Sequence, residues 1–270
     1  MKKIIYIGLA VLPLLASISC SEIRSHEYVN DSGQAVVEEF YGKNRVKSRT
    51  IYLNDRQTDY ILINFYEDGI LKDSSCYSGG KLNGKRVFFA REEDLLYEEH
   101  YSDGILNGIQ WAEYSNGVSS FEGYRRNGKM AGLWRFHYPD GKLITYEFYD
   151  STGLLQYFKK YTDQGIAEST KGDGIISLPF LADSTPAGIS VGLRLLVATP
   201  PFHETSLSVK VSTPGRSQVI IFNQTVSDEE LELPFTFPVS GKYTFYFELT
   251  IHSPQNDATE LYSAEKSFNI

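Results

Sequence analysis

The chain has 270 residues, with 34 Asp and Glu against 26 Lys and Arg, and a formal charge of −8. It contains no basic cluster. Nucleic-acid binding needs clustered Lys and Arg to replace condensed counterions, so the composition argues against that class of partner. Aromatic residues make up 14% of the chain with only two Trp, so Tyr and Phe carry the aromatic load, and both favour strands.

The chain opens MKKIIYIGLAVLPLLASISC. Lys2 and Lys3 precede an apolar run of 13 residues, Ile4 to Ala16. That is the length of a signal-peptide core and short for a bilayer-spanning helix. Ser17, Ile18 and Ser19 then lead into Cys20. The segment resembles the lipobox of bacterial lipoproteins, with Ser17 and Ser19 where Leu and Gly or Ala are usual. The resemblance implies a signal peptide over 1–19, acylation of Cys20 and a short tether over 20–27. Ser21, in place of Asp, implies delivery to the outer membrane, facing the periplasm or the surface. Losing the leader removes two cations and no acid, which takes the charge from −8 to −10. Anchoring to a membrane then rests on the acyl chains rather than on charge. With Cys20 acylated, Cys76 has no intramolecular disulfide partner. Its context, DSSCYSGG, reads as that of a small strand residue.

From about 28 to 167 the chain repeats itself. Gly80, Gly104 and Gly128 are spaced by 24 residues, and so are Gly84, Gly108 and Gly132. Gly117 and Gly141 extend a second series that includes Gly69. Asp68-Gly69, Asp103-Gly104, Asn116-Gly117, Asn127-Gly128 and Asp140-Gly141 are strong hairpin signals, because they tolerate positive φ at turn centres. Between them lie runs such as LYEEHY and LITYEFY, with aromatics alternating as on a half-buried strand. The expected product is an elongated antiparallel hairpin meander, with these glycines as repeat turns and each unit stabilised by its neighbours.

The motif residues are Tyr77, Gly80, Lys81, Leu82, Asn83 and Gly84; then Tyr101, Gly104, Ile105, Leu106, Asn107 and Gly108; then Tyr124, Gly128, Lys129, Met130, Ala131, Gly132 and Trp134. They resemble the MORN-repeat variant family, over roughly half the chain. The resemblance implies a scaffold that binds protein or lipid, or an antitoxin-like role. It carries no catalytic residue over to this chain.

Past DQGIAESTKGDG the 24-residue beat stops, and residues 166–174 read as a linker. Seven strand-like runs follow, from IISLPFL to ELYSAEKSF. That count predicts an Ig- or fibronectin-like β-sandwich over 168–270, with a jelly roll as the alternative. Tyr243, just after Gly241, is placed to act as a tyrosine corner. The expected fold class is all-β, a MORN-like meander followed by a sandwich.

For chemistry, His26, His100, His137, His203 and His252 show no zinc-like spacing, and no metal or cofactor is expected. The acidic clusters at 91–94 and 227–231 lack the oxygen-ligand spacing of calcium loops and read as solvated turns. No nucleophile elbow, zincin motif or P-loop is present. The candidate binding residues are therefore aromatic: Tyr77, Tyr101, Trp111, Tyr114, Tyr124, Trp134 and Tyr138, which either leave one stripe accessible or pack on one another along the sheet or under the second domain. The expected function is a non-enzymatic, lipid-anchored envelope protein that binds a protein partner. Two alternatives stand beside it: an immunity protein against a toxin, and a module that stacks a glycan on Tyr.

Overall fold

The computed structural model describes residues 24–42, 44–91, 95–178 and 185–270. The leader, Cys20 and the acids of the 91–94 cluster lie outside them. All regular structure among the described residues is β. Thirteen strands pair antiparallel in chain order in one sheet: β1 (Ser25–Val29), β2 (Ala35–Tyr41), β3 (Arg45–Tyr52), β4 (Tyr60–Phe65), β5 (Leu71–Ser78), β6 (Lys81–Ala90), β7 (Leu95–Ser102), β8 (Ile105–Tyr114), β9 (Ser119–Arg126), β10 (Lys129–His137), β11 (Leu143–Tyr149), β12 (Leu155–Tyr161) and β13 (Ala167–Gly172). The expected linker therefore contains β13, and only two residues separate it from the next strand.

Two turn chemistries alternate along the ribbon. At Asp103-Gly104 both residues have positive φ, 50° and 84°, as a two-residue type I′ turn requires. Asn127-Gly128 repeats this. At the opposite edge the loops are one residue longer: Tyr114 N donates to Val118 O, and Gly117 N donates to Tyr114 O. There only Gly117 has positive φ, while Asn116 Oδ1 accepts from Val118 N. Asp68 and Asp140 do the same in their loops. The five Asp-Gly and Asn-Gly pairs named above are all hairpin turns, then, but only some of them use positive φ twice.

The second glycine of each motif is not a turn residue. Gly84, Gly108 and Gly132 lie inside β6, β8 and β10, where the register slips. In β8 the pairing jumps from Tyr101↔Leu106 to Glu99↔Gln110, so residues 107–109 bulge opposite His100. Gly108 takes φ 128°, and a Cβ there would sit 2.8 Å from His100 Cβ. A bulge twists the strand and disturbs the ladder. Side chains at one repeat position bond across the bulge to the preceding strand: Gln110 Nε2 donates to His100 O at 3.3 Å, and Trp134 Nε1 to Tyr124 O at 3.0 Å.

Hydrogen bonds also stitch one repeat to the next. Gly104 N donates to Leu82 O and Gly128 N to Leu106 O. Tyr41, Tyr66 and Tyr114 each donate their hydroxyl to a backbone carbonyl one repeat on, at Phe65, Phe89 and His137. The 24-residue period is thus a contact rule as well as a length.

Seven further strands form two sheets: β14 (Ile175–Ser177), β15 (Ser190–Val197) and β18 (Glu230–Thr236) in one, and β17 (Val219–Thr225), β16 (Glu204–Ser212), β19 (Lys242–Ser253) and β20 (Ala258–Asn269) in the other. The orders β14-β15-β18 and β17-β16-β19-β20 are those of a fibronectin-like sandwich. Each expected strand is present. Alternate residues point inward: Leu193, Leu195 and Val197 from β15 meet Leu207, Val209 and Val211 from β16 and Tyr243, Phe245, Phe247, Leu249 and Ile251 from β19, all buried. Tyr243 is the tyrosine corner, its hydroxyl donating to Val239 O at 2.6 Å.

The same buried cluster takes in Leu143, Tyr146, Phe148, Tyr157 and Tyr161 of the repeat sheet. The sandwich meets that sheet through Thr199, Pro201 and Glu229 in its loops and through Glu260 and Tyr262 of β20. Thr199 N donates to Tyr146 Oη at 3.1 Å, Tyr161 Oη donates to Pro201 O, and Arg135 pairs with Glu229. One acid of the 227–231 cluster is thereby an ion-pair partner, not a solvated turn residue.

Candidate binding faces and the junction

Strand pairing assigns every side chain of the repeat sheet to a face. One row runs from β2 to β13 through Glu38, Arg49, Ile63, Ser74, Val87, Glu98, Trp111, Glu122, Arg135, Tyr146, Lys159 and Thr170. The sandwich covers the last three of these. The open part is charged. Glu38 pairs with Arg49 at 2.6 Å, Glu98 with Lys85 and His100, and Glu122 with Arg135 at 3.2 Å. Burial pushes the Glu98 carboxyl up, but hydrogen bonds from Lys85 and His100 outweigh it and hold the group below its usual range.

The opposite face carries a ladder of rings. Phe88 stacks on Tyr97 at 4.5 Å with 1° between planes. Tyr97 reaches Phe121 at 5.9 Å, and Phe121 reaches Trp134 and Phe136, each at 6.0 Å. Nearer the first strand, Tyr52, Tyr60 and Tyr77 form a second run at 6.0 and 4.6 Å. Offset and tilted pairs of this kind contribute about 0.5–1.5 kcal/mol each beyond area burial. Arg86 lies over Phe88 at 4.6 Å and pairs with Glu99, which also accepts from Tyr101 Oη.

The seven aromatic candidates therefore do not form one stripe. Tyr77, Tyr101, Tyr114 and Trp134 lie on the ladder face, Trp111 and Tyr124 on the charged face, and Tyr138 in the loop after β10. The cause is the two-residue alternation of a strand, which a repeat counted only by glycines does not track. Trp134 is 2% exposed, with its ring against Gly123, where a Cβ would come within 2.1 Å. It is a packing residue. Tyr124 is the most open of the seven at 39%. Cys76 sits half-buried on the charged face, opposite the Gly84 bulge.

Sequence reasoning missed the polar cluster at the junction, because its members lie about a hundred residues apart. Lys159 in β12 is 2% exposed and donates to Glu260 of β20 at 2.8 Å. Thr170 donates to the same carboxylate oxygen at 2.7 Å, and Tyr262 and Tyr157 to the other at 2.9 and 3.3 Å. Burial pushes the Glu260 carboxyl up, yet bonds from Lys159, Thr170 and Tyr262 prevail and hold it below the usual range. Burial first, and then the Glu260 charge, drive the Tyr157 phenol far above its ordinary value. Beside the cluster is a cleft of about 200 Å³ lined by His203, Ser253 and Asn256. His203 Nδ1 donates to Pro201 O at 2.9 Å, which leaves Nε2 as a buried acceptor, and burial holds the ring below its ordinary value. Among the described residues no group of three or more His, Cys, Asp and Glu is gathered as a metal site.

No family model matches this chain, and a search of curated proteins also finds no match.

Proposed function

We propose that the chain is a non-enzymatic binding protein whose repeat sheet is a protein-interaction scaffold, held to the cell envelope by an acylated Cys20. The 24-residue motif supports reading it as a MORN-repeat variant. One observation carries the proposal: between β2 and β10 the sheet is a single layer, with an aromatic ladder on one face that the sandwich does not cover. A sheet face of half-buried rings, beside Arg86, Glu99 and Tyr101, has the mixture of aromatic and Arg groups that protein interfaces favour. A partner laid across the ladder would complete the burial that a one-layer sheet leaves unfinished.

The test is affinity capture from envelope preparations with the wild type, a ladder-face variant (Tyr60→Ser with Tyr77→Ser) and a charged-face variant (Trp111→Ser). Thermal melts first establish that each variant is folded. A stoichiometric partner lost only with the ladder-face variant supports the proposal. Capture unaffected by that variant, or lost only with Trp111→Ser, defeats it. Incorporation of a labelled fatty acid, abolished by Cys20→Ser, tests the anchor separately.

A further inference from the structure

The cleft beside the Lys159–Glu260 pair carries polar atoms that the junction itself leaves unused. Among the described residues five buried side-chain polar atoms have no protein partner, and two of them, His203 Nε2 and Ser253 Oγ, belong to residues lining this cleft. Ser253 is 3% exposed. A third, Thr205 Oγ1, lies on the residue that pairs with Ile251 of the cleft wall. A buried polar group without a partner is costly, so a cluster of them calls for a reason.

The cleft lies where β12 and β13 of the repeat sheet meet β19 and β20 of the sandwich. Lys159, Ile251 and Ser253 are its buried wall, and Ser169, Asn256 and Ala258 its exposed mouth. Its volume of about 200 Å³ holds about seven waters at about 30 Å³ each, the room of one sugar ring.

The chemistry of the wall is mixed and electrically balanced. Lys159 Nζ spends two of its three hydrogens on Glu260 Oε1 and Thr170 Oγ1, which leaves one for an acceptor in the cleft. Asn256 Oδ1 accepts from Ala258 N, which leaves its amide hydrogens to donate. His203 offers a lone pair at Nε2, and its ring is fixed by the bond to Pro201 O and by the edge contact with Tyr161 at 6.0 Å. Ser253 Oγ can donate or accept. A carboxylate entering here meets the His203 lone pair and the Glu260 charge, and an ammonium meets Lys159. A ring hydroxyl both donates and accepts, so adjacent hydroxyls satisfy a lone pair and an N–H side by side. Ile251 and Ala258 supply the apolar contact that the C–H edge of such a ring needs.

We infer that this cleft binds an uncharged polyhydroxyl ring, a single pyranose held end-on with its inner hydroxyls on His203, Ser253 and Lys159. The buried wall admits one ring, and the exposed mouth lets a longer glycan continue outward. The site is separate from the ladder face and works by hydroxyl bonding rather than by stacking on Tyr. One small ring in a half-open cleft gives a Kd on the order of millimolar.

The experiment is calorimetric titration of the purified chain with four uncharged sugars, glucose, galactose, mannose and N-acetylglucosamine, and with charged glucuronate and glucosamine. At least one uncharged sugar binds, and the charged pair bind more weakly than it does. Ser253→Ala weakens binding by about tenfold, the contribution of one hydrogen bond. It leaves Tm unchanged or raised, because the hydroxyl it removes has no partner in the fold. Asn256→Ala, at the exposed mouth, weakens binding as well and keeps the test open where Ser253→Ala fails to fold. A disaccharide ending in the bound sugar separates two sources: tighter binding marks the end of a glycan and equal binding a free sugar, and either supports the site. No binding by any of the four uncharged sugars overturns the inference and leaves ordered water only. So does a preference for glucuronate or glucosamine, or an affinity that survives both variants.

Discussion

Lys159→Met is the most informative perturbation of the junction. The side chain is 2% exposed and its ammonium is held by Glu260 and Thr170. Removing one member of a buried ion pair costs about 3–5 kcal/mol, because the remaining charge is stranded. Here the stranded group is Glu260, 26% exposed at its side chain and still bonded to Thr170, Tyr157 and Tyr262. The expected loss is therefore at the lower end, about 3 kcal/mol, or a fall in Tm of about 6–12 °C at the scale of a chain this size. Glu260→Leu strands the ammonium instead, which has Thr170 beside it and almost no water, so its cost lies nearer 5 kcal/mol. The double variant, Lys159→Met with Glu260→Leu, leaves no stranded charge and recovers most of the loss. Scanning calorimetry of the three variants measures the order, and hydrogen exchange at β12 and β20 shows whether the junction is where protection is lost. If either single variant melts within 1 °C of wild type, or if the double variant is worse than both singles, the buried pair does not hold the junction in the way described.

Gly108→Ala and Gly132→Ala separate backbone strain from crowding. Both sites have positive φ, but only at Gly108 would the new Cβ meet a neighbour at 2.8 Å. We expect about 1 kcal/mol for Gly132→Ala and at least twice that for Gly108→Ala in urea titrations; equal costs would refute the bulge argument. Gly123→Ala drives a methyl into the Trp134 ring, and Trp134→Leu in the same chain should recover part of the loss, so a double-mutant cycle that is purely additive would contradict that packing. Tyr243→Phe removes the bond to Val239 O at 2.6 Å and should lower stability by about 1 kcal/mol with the fold intact by circular dichroism. Burial holds both His203 and His137 below the ordinary imidazole value of 6.5. The unfolded chain then binds more protons than the folded one, so stability is full above that value and lost as pH falls below it. Tm should drop between pH 7.5 and 5.5, with a shallower slope in His203→Gln; a Tm that rises on acidification would reverse the sign of the argument.

The local rules were legible in the amino acids. Asp103-Gly104 and Asn127-Gly128 announce reversals because few residue pairs accept positive φ twice, and the even beat of Gly80, Gly104 and Gly128 announces that the reversals recur. The seven strand-like runs after residue 174 announce the strand count of a sandwich. Tyr243 was readable as a corner because its partner lies four residues away. Local spacing could not distinguish a turn glycine from a bulge glycine. Gly104 and Gly108 look alike in the chain, and only the slip between Tyr101↔Leu106 and Glu99↔Gln110 tells them apart. Nor could it assign Trp111 and Trp134 to opposite faces, since that depends on counting pairs through each bulge.

Everything governed by neighbours within one hairpin could therefore be read from the residues: where the chain reverses, which segments extend, and that they pair in order. Which face the sandwich covers, and that Lys159 meets Glu260 across 101 residues of chain, became visible in the folded chain alone. The physical reason is reach. Turn and strand preferences act over a few bonds, whereas the burial of a charge depends on what distant segments come to lie against it.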